Sequence, residues 1–261
     1  MNHDFDIAAA TYDVEFTKSN IGQAQRSQVY QYLDNLLTSS KNMQILELNC
    51  GTGEDALHMS QLNHQVVATD ISSEMIRVCK EKYGNTSITF QQLDIRKITA
   101  STFDQKFDLI FSNFGGFNCL SKEELNTFFK LAPSLINEKG KLALVIMPKN
   151  TLWEQIYFSL KGEFKKAKRR RTDSFVLANV HGMNVKTWYF NPREINENSS
   201  NFKVSKTKPI GLWVPPSYLE NSVLGRQPIL AILKMMDRLF CWAFLSKYAD
   251  HFYIELEKNN L

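Results

Sequence analysis

Residues 45–56 of this 261-residue chain read Ile45-Leu-Glu-Leu-Asn-Cys-Gly-Thr-Gly-Glu-Asp-Ala56. A short apolar run enters a glycine-rich turn, and a helical pattern follows the turn. Residues without a Cβ let a ligand approach the backbone closely, so this unit predicts a nucleotide-binding crevice. The spacing of Gly51, Gly53 and Ala56 also satisfies the dinucleotide fingerprint, and Asp70 lies near the position of its ribose-binding acid.

The unit at residue 45 is the first of a repeating series. Short apolar runs occupy residues 43–48, 65–69, 88–93, 107–112 and 141–147. Helical patterns cover residues 25–37, 54–62, 73–83 and 122–136. Apolar runs that alternate with helices are typical of a parallel sheet covered on both faces. We therefore predict an α/β fold of the Rossmann-like, doubly wound type, with a mostly parallel sheet.

The pattern changes after Pro148. Residues 175–180 and 185–190 predict an inserted antiparallel β-hairpin. The other elements predicted here are helices over 192–198 and 228–247 and strands over 202–206 and 252–256. These two strands bring the sheet to seven. The chain thus divides into an N-terminal helical segment (1–40), a nucleotide-binding core (41–150), and a segment (151–261) that completes the sheet and carries the hairpin (about 164–191).

Composition narrows the classes of protein to consider. The chain is 43% apolar and 22% charged, which is typical of globular proteins. The longest apolar stretch, residues 229–245, contains Lys234, Asp237 and Arg238, so we expect no transmembrane segment. The four cysteines lack metal-ligand spacing and indicate thiols in a reducing compartment. Since no secretory signal is visible either, we predict a cytoplasmic protein without a metal.

Charge at the glycine turn bears on which nucleotide binds there. A diphosphate at a helix N-terminus needs free N–H donors and no competing anions. Here Glu54 and Asp55 occupy the first helical turn, and Glu47 lies in the preceding strand. Three carboxylates would repel a diphosphate and would suit a cationic cofactor without phosphate, such as S-adenosylmethionine. Alternatively, Glu54 and Asp55 only stabilise the helix dipole.

The order of the motifs resembles that of class I S-adenosylmethionine-dependent methyltransferases of the small-molecule type. The segment Glu47-x-Asn49-x-Gly51-x-Gly53 is similar to the family's acid-x-Gly-x-Gly-x-Gly loop, with Asn49 in place of the first glycine. Asn tolerates unusual backbone geometry better than most residues. The motifs that follow in order are Asp70-Ile71, Asp94-Ile95 and Asp108-Leu-Ile-Phe-Ser-Asn-Phe-Gly. The resemblance covers residues 40–150.

The resemblance implies a set of contacts to S-adenosylmethionine, with S-adenosylhomocysteine as the product. Glu47 would pair with the methionine ammonium group, Asp70 would accept from the ribose hydroxyls, and Asp94 would accept from the adenine amino group. The other implied cofactor-binding residues are Asn49, Gly51, Gly53, Ile71, Met75, Ile95, Asn113 and Phe114. Simple core packing is an equally good account of Met75.

The resemblance also implies that the segment before the first strand folds over the cofactor as a lid. Tyr12 and Arg26 are then candidates for contact with the methionine carboxylate, although Arg26 could equally lie on a solvated helix face. A general base is needed only if the acceptor loses a proton. His181 is the first candidate, with Tyr12 and Tyr189 as further ones. A histidine before a glycine can also be a simple turn residue.

The acceptor is constrained by what the sequence lacks and by what it concentrates. Residues 112–116 lack the Pro-Pro-aromatic motif of enzymes that methylate flipped bases, which disfavours nucleic acid. Apolar and aromatic residues predict a small acceptor of that character: Trp188, Phe190, Trp213, Pro215, Pro216 and Tyr218. The basic run 165–171 leaves three alternatives open: an RNA methyltransferase, a solvated hairpin edge, and capture of an anion by Arg170 or Arg171. A cofactor-binding protein without catalysis also remains open.

Overall fold

The computed structural model describes residues 6, 9, 12–180 and 183–259. One seven-stranded sheet dominates it, in the order β3-β2-β1-β4-β5-β9-β8. Its strands are β1 (Gln44–Leu48), β2 (Gln65–Asp70), β3 (Thr89–Gln92), β4 (Phe107–Ser112), β5 (Ile136–Ile146), β8 (Phe202–Ile210) and β9 (His251–Lys258). The first five are parallel, whereas β9 runs antiparallel to β5 and β8. The strand order reverses between β1 and β4, so ligands are expected at the carboxyl ends of these strands.

Eight helices of the described chain accompany the strands. They are α1 (Asn20–Leu37), α2 (Glu54–Gln61), α3 (Ser73–Tyr83), α4 (Lys122–Leu135), α5 (Leu152–Leu160), α6 (Phe164–Ala167), α7 (Pro192–Asn198) and α8 (Ile229–Leu239). Serine hydroxyls stabilise the starts of the longer ones. Ser19 accepts from the Gly22 N–H and Ser72 accepts from the Met75 N–H, while Ser121 forms a capping box with Glu124.

Two apolar clusters cover the two faces of the sheet. Within β4, Ile110 belongs to one cluster while its neighbours Leu109 and Phe111 belong to the other. This division follows from the alternation of side chains along a strand. Helix α4 covers the first face and α1 the second, so the central strands carry buried apolar residues on both faces. The prediction of a doubly wound seven-stranded sheet is confirmed.

The inserted hairpin is also confirmed, with β6 (Val176–Val180) and β7 (Met183–Thr187) forming a separate two-stranded sheet. The predicted helix over 228–247 is wrong in its second half, because α8 ends at Leu239 and a short 3-10 turn covers Ala243–Tyr248. Helix α8 turns the buried carboxylate of Asp237 inward, where it accepts three backbone N–H bonds from Leu212 to Val214.

Helix α5 was missed by the sequence analysis, which left residues 152–160 unassigned.

No helix in the described residues is long and apolar enough to cross a bilayer.

Candidate active site

The glycine loop after β1 has left-handed backbone at three positions. Asn49, Gly51 and Gly53 have φ values of 60°, 54° and 82°. A Cβ on Gly53 would lie 3.0 Å from the Cys79 sulfur and 3.1 Å from the Phe90 ring. Gly53 is therefore required for close packing of the loop against α3 and β3, whereas a Cβ on Gly51 would lie 3.5 Å from the ring of Tyr12.

Asn49 fits its position because of a second glycine across the loop. A Cβ atom added to Gly116 would lie 2.6 Å from the Cβ, Cγ and Oδ1 atoms of Asn49, so the Asn49 side chain occupies the space that a larger residue at position 116 would need. The Ser112 hydroxyl donates to the same Oδ1 atom at 3.4 Å. The departure from the family's first glycine is thus accommodated by left-handed backbone at Asn49 and by the missing side chain at Gly116.

A cavity of about 510 Å³ opens at the carboxyl ends of β1, β2 and β4. We refer to it as the crevice. Nine of the predicted cofactor residues line it: Asn49, Gly51, Asp70, Ile71, Met75, Asp94, Ile95, Asn113 and Phe114. Two others, Glu47 and Gly53, are not among the described residues that line it.

Asp70 is held in the crevice by backbone donors. Its Oδ2 accepts from the Gly51 N–H at 3.0 Å and its Oδ1 from the Ser72 N–H at 2.9 Å. Burial raises the pKa of this carboxyl to about 6, although the backbone bonds work in the opposite direction. Each carboxylate oxygen has a second lone pair, so Asp70 can still accept hydrogen bonds from a ligand in the crevice.

Asp94 presents a second carboxylate to the crevice. The Arg96 guanidinium bonds both of its oxygens at 2.9 Å. Although partial burial raises the pKa of Asp94, the bonds from Arg96 outweigh burial and hold it below its ordinary value. Asp94 therefore stays ionised at neutral pH and remains an acceptor.

The acids around the glycine turn are already partnered within the protein. Asp55 bonds Arg26, accepts from the Tyr30 hydroxyl at 2.7 Å, and accepts from the Asn113 amide at 3.0 Å. Glu54 accepts from the Tyr83 hydroxyl at 2.8 Å. Two of the three carboxylates at this turn, Glu54 and Asp55, therefore have partners within the protein. Arg26 is also not on a solvated helix face, since its side chain is 12% exposed.

Glu47 is almost fully buried at the end of β1. Its Oε2 atom has no hydrogen-bond partner among the described residues. Burial, together with the nearby negative charge of Asp55, raises its pKa well above the ordinary value. Burial thus favours the neutral form of Glu47, whereas the resemblance implied a charged partner for the methionine ammonium group.

A second cavity of about 260 Å³ adjoins the crevice, and we call it the acceptor cavity. The two cavities share five lining residues: Tyr12, Phe114, Gly115, Cys119 and Val185. Burial raises the pKa of Tyr12 to about 12, so its hydroxyl is protonated at neutral pH and donates rather than abstracts a proton. Phe114 has an unusual left-handed φ of 41° for a bulky side chain.

Part of the basic run 165–171 turns into the acceptor cavity. Arg169 and Arg170 both bond the buried carboxylate of Glu154, at distances of 2.7–3.0 Å. Arg170 also approaches Asp250 at 3.3 Å and is only 6% exposed. The run precedes the hairpin and does not form its edge. Its lysines and Arg171 are exposed, as a solvated run would be, whereas α6 and the turn after it bring Arg170 inside. Helix α5 supplies Glu154, and the signal for it was a single acid within an apolar run.

Asp250 and His251 complete the wall of the acceptor cavity at the start of β9. The His251 Nδ1 atom lies 3.3 Å from Oδ2 of Asp250, and the His251 ring meets the Phe114 ring edge-on at 5.4 Å. Tyr189 also lines this cavity. His181, the predicted base, lies outside the described residues. Sequence analysis missed His251 because nothing local distinguishes it from any other strand residue.

Comparison with known proteins separates the part of the chain that forms most of the crevice from the rest. Residues 45–140 match the model of a family described as a methyltransferase domain. This match to a methyltransferase domain spans less than half of the chain. The match begins in β1 and ends within β5, and it therefore covers the strands and loops that form most of the crevice.

Individual relatives extend this finding. The chain is 31% identical over 112 residues to a malonyl-[acyl-carrier protein] O-methyltransferase of Bacillus cytotoxicus, which covers 42% of this chain and 37% of that protein. The match spans 37–65% of the length of the curated relatives, which is less than two thirds of each.

Solved structures of methyltransferases share the fold over nearly the whole chain. The DhpI complex with S-adenosylhomocysteine has a TM-score of 0.60 at 16% identity and covers 98% of this chain and 94% of its own. Magnesium protoporphyrin IX methyltransferase of Synechocystis, also with S-adenosylhomocysteine bound, has a TM-score of 0.58 at 15% identity and covers 92% of this chain and 86% of its own. The predicted Rossmann-like fold is confirmed.

Proposed function

We propose that this chain transfers the methyl group of S-adenosylmethionine to a small acceptor bound in the acceptor cavity. The observation that carries the proposal is the common wall of two adjoining cavities. Tyr12, Phe114 and Cys119 belong to both, so a ligand in one cavity comes within reach of a ligand in the other. Methyl transfer needs this arrangement, because donor and acceptor react in line.

The residues of the crevice fit S-adenosylmethionine. Asp70 offers a buried carboxylate, fixed by backbone bonds, to a ribose diol. Asp94 offers an ionised acceptor to an adenine amino group, and Ile71, Met75 and Ile95 offer apolar surface to the base. We assign Gly53 to packing of the loop rather than to cofactor contact.

The chain's own contribution to the reaction is alignment and exclusion of water. When bound, the cofactor supplies a methyl group activated by a positively charged sulfur. Phe114 separates the two cavities and is fixed from both sides, with Arg26 5.2 Å from its ring centre and His251 at its edge. The protonated hydroxyl of Tyr12 is a donor to an anionic group in the crevice, such as the carboxylate of a methionine moiety. Such fixed surroundings lower the barrier to in-line displacement.

The size and lining of the acceptor cavity favour an apolar or aromatic small molecule. Rings of Phe16, Phe114, Tyr189 and Tyr218 contribute to its walls. The two arginines of the basic run that reach this cavity are bonded to Glu154, so they are not free to neutralise phosphates. We therefore favour a small acceptor over RNA.

Calorimetric titration with S-adenosylmethionine, S-adenosylhomocysteine and NADH tests the proposal. We expect micromolar or tighter binding of the first two and no measurable binding of NADH. Absence of binding by either sulfur nucleoside would overturn the proposed function. Replacement of Lys165, Lys166 and Lys168 by Ala provides the matched test of RNA, because transfer of labelled methyl to bulk RNA that these changes abolish would favour the alternative.

A further inference from the structure

We infer that His251 is the general base of the acceptor cavity, that Asp250 positions it, and that the acceptor is a neutral aromatic hydroxyl. The inference rests on the proposed function and specifies the acceptor of the same site. It depends on three features of the acceptor cavity: the contacts of His251, the balance of buried charge, and the aromatic walls.

The position of His251 suits a base. Its side chain is 12% exposed and lines the acceptor cavity, while its ring touches Phe114, which also lines the crevice. Asp250 lies 3.3 Å from the Nδ1 atom and is itself held by the Gln25 amide at 3.2 Å and by Arg170 at 3.3 Å. A carboxylate fixed beside one ring nitrogen stabilises the imidazolium that forms when the other nitrogen takes a proton.

The other titratable groups of the cavity are poorly suited to accept a proton. Burial raises the pKa of both Tyr12 and Cys119 to about 12, so both are already protonated at neutral pH. Glu154 is engaged by two arginines, which outweigh burial and keep its pKa below the ordinary value. Among the described residues that line this cavity, His251 is the only imidazole.

The buried charges of this region balance without a ligand. The cations Arg26, Arg169 and Arg170 face the carboxylates of Asp55, Glu154 and Asp250. Among the described residues that line this cavity, no unpaired arginine or lysine is therefore available to compensate an anionic acceptor, whose burial would be costly. This balance disfavours a carboxylate acceptor. The acceptor inferred for this chain therefore differs from the malonyl group that the name of the malonyl-[acyl-carrier protein] O-methyltransferases gives for those relatives.

The walls define the rest of the acceptor. A cavity of about 150 Å³ lined by apolar side chains is enough to bind benzene, and the acceptor cavity measures about 260 Å³. It therefore accommodates one substituted aromatic ring. Tyr218, which is 47% exposed, marks the mouth through which such a ring enters.

The chemical step is balanced within the two cavities. The acceptor hydroxyl gives its proton to the free nitrogen of His251, and its oxygen forms a bond to the methyl carbon. The bond between that carbon and the sulfonium sulfur of the donor breaks, and the electron pair returns to sulfur as a neutral thioether. Asp250 balances the charge of the imidazolium until the proton leaves to solvent.

Two phenols distinguish a base from a structural residue. At pH 8, 4-methylphenol is un-ionised and needs a base, whereas 4-nitrophenol is largely ionised and does not. Because the buried charges disfavour an anion, we expect weak binding of the 4-nitrophenolate, and kcat is compared between variants at saturating concentrations of each phenol. Transfer of labelled methyl from S-adenosylmethionine to each phenol is measured for wild type, His251→Gln, Asp250→Asn and His58→Gln. His58 is the matched control, because it forms another His–Asp contact, with Asp34 at 2.7 Å, and lines neither cavity.

We expect His251→Gln to lose about 100-fold of kcat on 4-methylphenol and only a few-fold on 4-nitrophenol. Asp250→Asn should show the same selectivity with a smaller loss, and His58→Gln should match wild type on both phenols. Binding of S-adenosylmethionine, measured by calorimetry, should be unchanged in every variant and shows that each one is folded.

Every other outcome overturns the inference. Equal loss on both phenols would assign His251 a structural role, and no loss on either would remove it from the reaction. If wild type binds S-adenosylmethionine but methylates neither phenol, the acceptor class is wrong while the proposed function stands. If wild type does not bind S-adenosylmethionine, the proposed function falls as well.

Discussion

The crevice and the acceptor cavity share a wall, yet they are built in opposite ways. Most of the crevice comes from residues 49–124, at the carboxyl ends of consecutive parallel strands. The acceptor cavity draws on residues as far apart as Tyr12 and His251, from the N-terminal segment, α5, the hairpin and β9. A site made by local strand–turn–helix units can be found from sequence spacing, whereas a site assembled by long-range packing cannot.

The two cavities also hold their carboxylates differently. Backbone N–H groups hold Asp70, and such donors exist whatever the neighbouring side chains are. Glu154 and Asp250 are held by arginine side chains from a segment that the methyltransferase family model does not cover. The crevice is thus a property of the fold, and the acceptor cavity is a property of this particular sequence.

The largest effect is expected where a buried ion pair is broken. Glu154→Gln leaves Arg169 and Arg170 without their shared partner, so the free energy of unfolding should fall by about 4 kcal/mol. Urea denaturation measures the change. Glu197→Gln, at the exposed pair with Arg193, is the control and should have little effect. A variant as stable as wild type would show that this network does not stabilise the fold.

The next effect is expected in the crevice, on affinity for the cofactor rather than on the free energy of unfolding. In the proposed ribose-binding role, Asp70 accepts two charge-assisted hydrogen bonds that Asp70→Ala would remove, so affinity for S-adenosylmethionine should fall about 100-fold. Calorimetry measures the affinity, and Asp104→Ala, at an exposed position, is the control. Unchanged affinity would remove Asp70 from the ribose-binding role.

A smaller effect is expected from the complementary pair in the glycine loop. Gly116→Ala places a methyl group 2.6 Å from the Asn49 side chain, which should destabilise the fold by about 2 kcal/mol. Asn49→Gly in the same chain should restore most of this loss, since it removes the obstructing atoms. Thermal denaturation of both single variants and the double variant gives the coupling free energy, and additive changes would contradict the proposed fit.

The smallest effect is expected from pH. The pKa of Asp70 is raised to about 6, so this carboxyl gains a proton and becomes a weaker acceptor as pH falls through 6. Affinity for S-adenosylmethionine should therefore be constant above pH 7 and fall by about 10-fold by pH 5. Asp70→Asn should bind more weakly at every pH and show no such decline. A decline that persists in this variant would assign the titration to another group.

Much of the fold could be predicted because its signals are local. Alternating apolar runs located the strands of the sheet, and Pro192 at a helix start located α7 with correct bounds. The bounds of helix α8 were harder to predict. Its orientation depends on the hydrogen bonds between Asp237 and the backbone of residues 212–214, which its own apolar residues do not reveal.

For the site, the sequence separation of two residues decided whether their contact could be predicted. Asp70 lies 19 residues from its partner Gly51, within one repeating unit of the fold, and its position was predictable. Arg170 lies 80 residues from Asp250, and no spacing rule connects them. The acids of the glycine turn show a third limit, since their presence was visible in the sequence and their partners Arg26 and Tyr83 were not.

The left-handed backbone of Phe114 has a consequence for inhibitors. A compound that joins an adenosine group to an aromatic ring would have to pass this side chain in order to occupy both chambers. Because the ring is clamped between Arg26 and His251, it cannot swing aside without losing both contacts. Such compounds should therefore bind only with a thin, unbranched linker, and the width of the linker beside Phe114 should dominate their selectivity.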